Sequence, residues 1–190
     1  VMIRPRSGGF CYSEIEFESM KKSAELAVEF GADGLVFGIL QENGEVDMTR
    51  NRILKEIAGD KVTVFHRAFD VLFDPFSAID KIKALGIDRI LTSAQRNKVV
   101  DNLDLAKKII NYAEPDLEIV LAGGIRNYNL EKIIDKTGAK QVHLSAFIEK
   151  EDKSMLEKEI KFNSSCISEA KYKLIAQKKV KQVKTILAGY

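Results

Sequence analysis

An α/β fold of the (β/α)8 TIM-barrel type, represented by about six βα units, is what this sequence predicts, on three observations. Short apolar runs alternate with longer amphipathic stretches along the whole chain. Successive runs are separated by a full helix, which a hairpin cannot contain, so the sheet must be parallel with right-handed crossovers. Polar residues or glycines stand at the C-terminal end of nearly every run: Arg4 and Arg6, Gly38, His66 and Arg67, Thr92 and Ser93, Gly123 and Arg126, His143 and Ser145. An open doubly wound sheet concentrates its chemistry at one switch point, whereas a barrel assembles its site from all the strand ends on one face.

Taken in order, strands are expected near Val1–Arg4, Gly34–Ile39, Val62–His66, Arg89–Thr92, Glu118–Ala122 and Gln141–Ser145, each an apolar run bounded by Gly, Asp or Lys. Helices are expected near Ser13–Phe30, Thr49–Ala58, Pro75–Leu85, Val99–Tyr112, Leu130–Lys136 and Ser168–Leu187, with apolar residues three or four apart, as in Leu26/Phe30 and Ile79/Ile82. Gly31, Gly59, Gly86 and Gly138 follow helices as C-terminal stops, and Ser13, Thr49 and Asn127 are placed as N-caps. The Lys-rich stretch from Lys171 to Lys184 could be a basic binding stripe, but Leu174, Ile175, Val180, Val183 and Leu187 favour an amphipathic last helix with the lysines on its solvated face.

With 190 residues and no Pro-rich linker or low-complexity tract, residues 1–190 read as a single domain. A net charge of +2 gives no reason to expect nucleic acid as a partner. No apolar run approaches the roughly 18 residues that span a bilayer, and the N-terminal stretch does not read as a signal peptide, so no membrane association is expected. The two cysteines, Cys11 and Cys166, are too few for a secreted disulfide framework, and a reducing cytoplasm is expected.

Guanidinium groups that converge on a concave surface favour planar anions such as carboxylate and phosphate. Arg4 and Arg6, two apart on an expected strand, would point to one side, and Arg67 and Arg126 would leave the same face. The competing reading is that Arg67 or Arg126 pairs with Asp70 or another loop carboxylate. His66 and His143 are the only histidines, both at strand ends, and each suits a general acid or base, a metal ligand or a hydrogen-bonded structural residue. Asp70 could orient His66 or act as a base. Asp47 is a further carboxylate, for which an N-cap role competes.

Several segments together resemble the CutC copper homeostasis family: Val1-Met-Ile-Arg-Pro-Arg6, Gly8-Gly9-Phe10-Cys11-Tyr12-Ser13, Ala32 to Gly38, and Gly44-Glu45-Val46-Asp47. Val64-Phe65-His66-Arg67-Ala68-Phe69-Asp70, Asp88 to Ser93, Ala122-Gly123-Gly124-Ile125-Arg126 and Val142-His143-Leu144-Ser145-Ala146 continue it in the family's order. The resemblance covers about residues 1–146, and residues 147–190 form a divergent C-terminal segment. It implies that Val1–Arg4 is the family's third strand, so that the first two βα units are not in this chain and strands three to eight are. Departures from the family pattern fall in three loops, at Arg6-Ser7-Gly8-Gly9-Phe10, at Thr92-Ser93-Ala94 and at Gly123-Gly124.

Under that alignment Gly123 and Gly124 lie in a loop where such barrels often hold phosphate, although a tight βα turn also needs them. Ser145 lies in the next such loop. The resemblance further implies a copper role, with Cys11 the cysteine in a matching motif, while a buried inert thiol is the alternative that physical chemistry supplies. Three functions follow. One is a cytosolic copper homeostasis protein, with copper as ligand. Another is a barrel enzyme for a small phosphorylated or carboxylated metabolite, in which His66, Asp70 and His143 carry catalysis and Arg4, Arg6, Arg67, Gly123, Gly124, Arg126 and Ser145 hold the anion. The last is a fragment without function. A homo-oligomer is compatible with each.

Overall fold

The computed structural model describes residues 1–155 and 170–190. The expected winding is present. Strands β1 (Gly34–Phe37), β2 (Val62–Phe65), β3 (Arg89–Thr92), β4 (Glu118–Leu121) and β5 (Gln141–Val142) form one parallel sheet in the order β1-β2-β3-β4-β5. Each strand therefore pairs with the next one in sequence, which is the winding of a barrel and not of a doubly wound sheet. Helices α1 (Glu14–Glu29), α2 (Met48–Ala58), α3 (Pro75–Ala84), α4 (Leu103–Ala113) and α5 (Leu130–Thr137) alternate with the strands.

The first segment is shorter than expected. Val1 to Ile3 pairs in parallel with the free edge of β1, through Ile3 N–H to Val36 O at 2.8 Å and Val36 N–H to Val1 O at 2.8 Å, but only Met2 forms a bridge. Pro5 has no N–H to donate, so the ladder stops before Arg4. Arg4 and Arg6 accordingly lie on the loop beyond the paired residues. At the other edge His143 N–H still reaches Leu121 O at 2.8 Å, and the backbone pairing ends there.

Alternating burial along each strand sets the core: Leu35 and Phe37, Thr63 and Phe65, Ile90 and Thr92, and Ile119 and Leu121 are buried in successive strands. The helices cover this sheet with short apolar stripes, including Phe17, Met20 and Ala24 of α1 and Ala106, Ile109 and Ile110 of α4. Start signals agree with their chemistry. Ser13 caps α1 in a reciprocal box with Glu16, and Asp74 caps α3 with Pro75 in its first turn. At α2 the cap is Asp47 and not Thr49, its carboxylate accepting Arg50 N–H at 2.9 Å. The expected helix over Val99–Tyr112 divides into a 3-10 turn at Val99–Asn102 followed by α4. Asn127 lies three residues ahead of α5, so it does not cap it; its amide donates to Gln182 at 3.1 Å.

By compactness the chain divides into two units. The first comprises Val1–Ile125 with Lys132–His143, the second Arg126–Glu131 with Leu144–Tyr190. In the second unit β6 (Phe147–Glu151) and β7 (Lys171–Ile175) form an antiparallel pair, and α6 (Gln177–Leu187) follows. Here the expected helix over Ser168–Leu187 is corrected. Its first two residues lie outside the described residues, and Lys171–Ile175 is a strand because β6 supplies a partner of matching pattern. Ile148 faces Leu174, Glu149 faces Lys173 and Glu151 faces Lys171, so apolar and opposite-charge pairs stand across the ladder.

One polar residue supports the strand-end loops from beneath. Asn51, with 0% exposure, accepts Ile39 N–H at 3.0 Å and donates to Ile39 O at 2.8 Å and Asp47 O at 2.7 Å. Asn51→Ala leaves the buried Ile39 N–H unpaired, at about 1–3 kcal/mol, while Ile39 O keeps the N–H of Asp47 at 3.0 Å. The expected result in urea is a lower midpoint at unchanged slope, with at least ~1 kcal/mol lost; a loss under ~0.5 kcal/mol would contradict this role.

Candidate functional site

The C-terminal ends of the first strands carry the polar residues singled out from the sequence, and their surroundings separate those committed to structure from those left open. His66 ends β2 and is 3% exposed. Its Nδ1 accepts the backbone N–H of Ala68 at 3.2 Å, capping the 3-10 turn Arg67–Val71. A neutral imidazole whose Nδ1 accepts must carry its proton on Nε2. Nε2 is buried and has no hydrogen-bond partner among the described residues. Phe10 packs on the ring at 5.0 Å between centroids, and Phe65 meets it edge-on at 6.3 Å. Gly38 makes this position available, since a Cβ there would stand 2.5 Å from Nδ1. Burial, and next the nearby Arg4 guanidinium, push the His66 pKa down to about 4, so the ring is neutral at physiological pH.

Arg4 lies 4.9 Å over the Phe10 ring and gives one hydrogen bond, to Gly8 O at 2.6 Å. No carboxylate pairs with it among the described residues. Beside it is Tyr12, which the sequence reading passed over. Its ring is buried, and its hydroxyl is sealed from solvent without a hydrogen-bond partner among the described residues. Burial pushes the Tyr12 pKa up, and Arg4 and Arg6 partly oppose this, Arg4 by proximity short of good hydrogen-bond geometry. The available signal was position: Tyr12 directly precedes the Ser13 cap, within a motif already singled out.

Arg6, in contrast, is consumed locally. Its guanidinium bonds Glu16 through Nε, Cys11 O at 2.8 Å and Gly9 O at 3.2 Å, and it covers the Tyr12 ring at 4.9 Å. The Arg6 hydrogen bond, followed by the Ser13 backbone, holds Glu16 at about 2. Arg67 donates to Asp70 at 2.7 Å and to Ser93 Oγ at 2.6 Å, the pairing that competed with ligand contact. Asp70 is saturated as well: it accepts Thr92 Oγ1 at 2.5 Å, Ser93 N–H at 2.9 Å, Ser93 Oγ at 2.9 Å and Gln95 N–H at 3.2 Å. Its carboxylate ties the turn after β2 to the loop after β3, and it does not orient His66, whose Nδ1 is taken by Ala68.

The remaining candidates are not drawn into this cluster. His143 is exposed beyond β5, and among the described residues no ring contact or hydrogen bond joins it to His66. Gly123 and Gly124 have left-handed φ of 88° and 71°, and the space their side chains would need is filled by Ser93 at 2.8 Å and Lys98 at 2.9 Å. They serve close packing of the loops after β3 and β4. Arg126 and Ser145 belong to the second unit, where Arg126 lies 5.5 Å over Phe147 and both line a small cavity with Lys179 and Val183. Cys11 is exposed and unpaired, so the buried-thiol expectation is corrected. Among the described residues no three His, Cys, Asp or Glu side chains stand together to hold a metal ion.

A buried neutral histidine predicts a pH signature. Between pH 6.5 and about 4 the unfolded chain binds a proton at His66 that the native chain does not. Stability is therefore undiminished above the upper value and falls by ~3 kcal/mol as the pH drops through this window. His66→Gln removes this component, so the stability difference between wild type and variant should shrink on acidification; parallel curves would contradict the burial argument.

Relatives were identified by sequence and by structure. The CutC family matches residues 1–148. A CutC family protein of Treponema denticola is 42% identical over 153 residues, covering 80% of this chain and 62% of the relative. A human protein named copper homeostasis protein cutC homolog is 39% identical over 168 residues, covering 88% of this chain and 59% of its own length. The chain thus spans about three-fifths of the curated relatives it matches. The crystal structure of CutC from Streptococcus agalactiae superposes with a TM-score of 0.72 at 37% identity, over 75% of this chain and 70% of that one. An aldolase, QR15, shares the fold at a TM-score of 0.57 and 19% identity, over 74% and 65% of the respective chains. On the motifs, the winding of the sheet and these matches, the chain belongs to the CutC family.

Proposed function

We propose that this chain serves copper homeostasis from the cytosol, and that its strand-end site binds a small anionic metabolite. The name of the human relative supports the first part, and the free Cys11 thiol is in keeping with a reducing compartment. Among the described residues no helix is long and apolar enough to cross a membrane. The observation that carries the second part is Arg4, a guanidinium without a carboxylate among the described residues, beside two buried donors, His66 Nε2–H and Tyr12 Oη–H. Donors gathered around an uncompensated positive charge suit an oxygen anion.

Direct copper binding is the second reading, favoured by the exposure of Cys11. Cu(I) prefers thiolate and thioether ligands, of which Cys11 supplies one. The cationic surroundings of Arg4 and Arg6 oppose a metal ion there. Cu(I) competition against a chromogenic chelator separates the readings: stoichiometric binding that Cys11→Ser abolishes would establish the copper site.

For the anion reading, thermal unfolding at constant ionic strength across small carboxylates and sugar phosphates should show at least one ligand that raises the wild-type midpoint. The stabilisation should be about 2.7 kcal/mol at a hundredfold excess over Kd, and it should vanish in Arg4→Met. A flat panel for the folded chain would contradict this reading.

A further inference from the structure

Resting on the anion-binding reading just given, the charge balance of the site also selects its ligand. Of the four arginines at positions 4, 6, 50 and 67, three bring their own carboxylates. Arg6 pairs with Glu16, Arg67 with Asp70, and Arg50 with Glu14 at 2.6 Å while also holding Tyr12 O at 2.6 Å. Arg4 is left with its charge uncompensated among the described residues. The other two open groups are neutral donors: His66 Nε2–H, on a ring 97% removed from solvent, and the Tyr12 hydroxyl, on a ring 4% exposed. The site therefore offers one net positive charge and hydrogen-bond donors, with no carboxylate left over to take a cation.

We propose that this site takes a small monoanionic carboxylate and discriminates against phosphate dianions. A carboxylate matches the single charge of Arg4, accepts its planar fork and has lone pairs left for Tyr12 and His66. A phosphate dianion would bring one unmatched negative charge to a site whose two inner donors are already withdrawn from water, where uncompensated charge is costly. The turn at Gly123 and Gly124 is packed closely against Ser93, Asn97 and Lys98, which commits both glycines to joining neighbouring loops. The Phe10 ring packs on His66, so the proposed carboxylate reaches the His66 donor by displacing that half-buried ring.

The test titrates acetate, pyruvate and inorganic phosphate against the chain at one ionic strength and mildly alkaline pH, with thermal midpoint and calorimetry as readouts. Pyruvate or acetate should bind at least tenfold more tightly than phosphate. Tyr12→Phe should weaken the carboxylate about fivefold and Arg4→Met should abolish it. Glu16→Gln, which keeps a capping side chain but frees the charge of Arg6, should bring phosphate to parity with the carboxylate. Lys140→Gln, a charge removed at the N-terminal end of β5, should change none of this and controls for overall charge. Phosphate bound more tightly than either carboxylate in wild type, through Arg4, would overturn the monoanion assignment and leave anion binding standing. No Arg4-dependent binding of any of the three would overturn both.

Discussion

The Asp70 carboxylate is the interaction on which the strand-end face depends. It sits just beyond β2 but takes its hydrogen bonds from Thr92 at the end of β3, from Ser93 and Gln95 after it, and from Arg67 on its own turn. These bonds hold Ala94 and Gln95 at φ of 55° and 58°, a left-handed conformation that costs a non-glycine residue about 1–2 kcal/mol. The loop after β3 is thereby fixed, and the loop after β4 is fixed against it, with Val99 N–H on Gly123 O at 3.0 Å. An acidic residue that reads from sequence as a catalytic base is thus a tie between neighbouring βα units. Its lone pairs are engaged before any ligand arrives.

Once the loops are held, burial does the selecting. His66 is not made reactive by a carboxylate partner; it is made neutral by the removal of water and by a nearby guanidinium. Two consequences follow from the one environment. The ring cannot serve as an imidazolium near neutral pH, and with Nδ1 accepting from Ala68 its inward atom is a donor. Pairing divides the arginines in a similar way. Those with a carboxylate within reach are scaffold, and Arg4, held by Gly8 O and stacked on Phe10, has no carboxylate partner among the described residues.

Much of the fold was legible because it is local. β3 was expected at Arg89–Thr92 and lies there, and helices α1, α3 and α5 fall within a residue or two of expectation, since apolar spacing, caps and glycine stops act over a few neighbours. The Thr49 cap failed by two residues because Asp47 accepts more strongly, in a segment whose other start signals are weak. Lys171–Ile175 failed for a different reason: its partner, Phe147–Glu151, is about twenty residues away, and nothing within the segment announces that pairing. In the site, residue types were readable and roles were not. His66 and Arg4 could be picked out by position, but neutrality, tautomer and the lack of a carboxylate for Arg4 exist only once Phe10, Gly38 and Tyr12 are assembled around them. The Ser13–Glu16 capping box was present as a motif, and it is the reason Glu16 is in place to neutralise Arg6.

His66 is an uncharged donor through Nε2, and nitrogen NMR of the imidazole reads that state directly. Across the neutral range the prediction is a protonated, pyrrole-like Nε2 and an unprotonated, pyridine-like Nδ1, with both shifts constant until the acid limb near the pKa of about 4. A ring that titrates near its ordinary value of 6.5, or one that carries its proton on Nδ1, would contradict it.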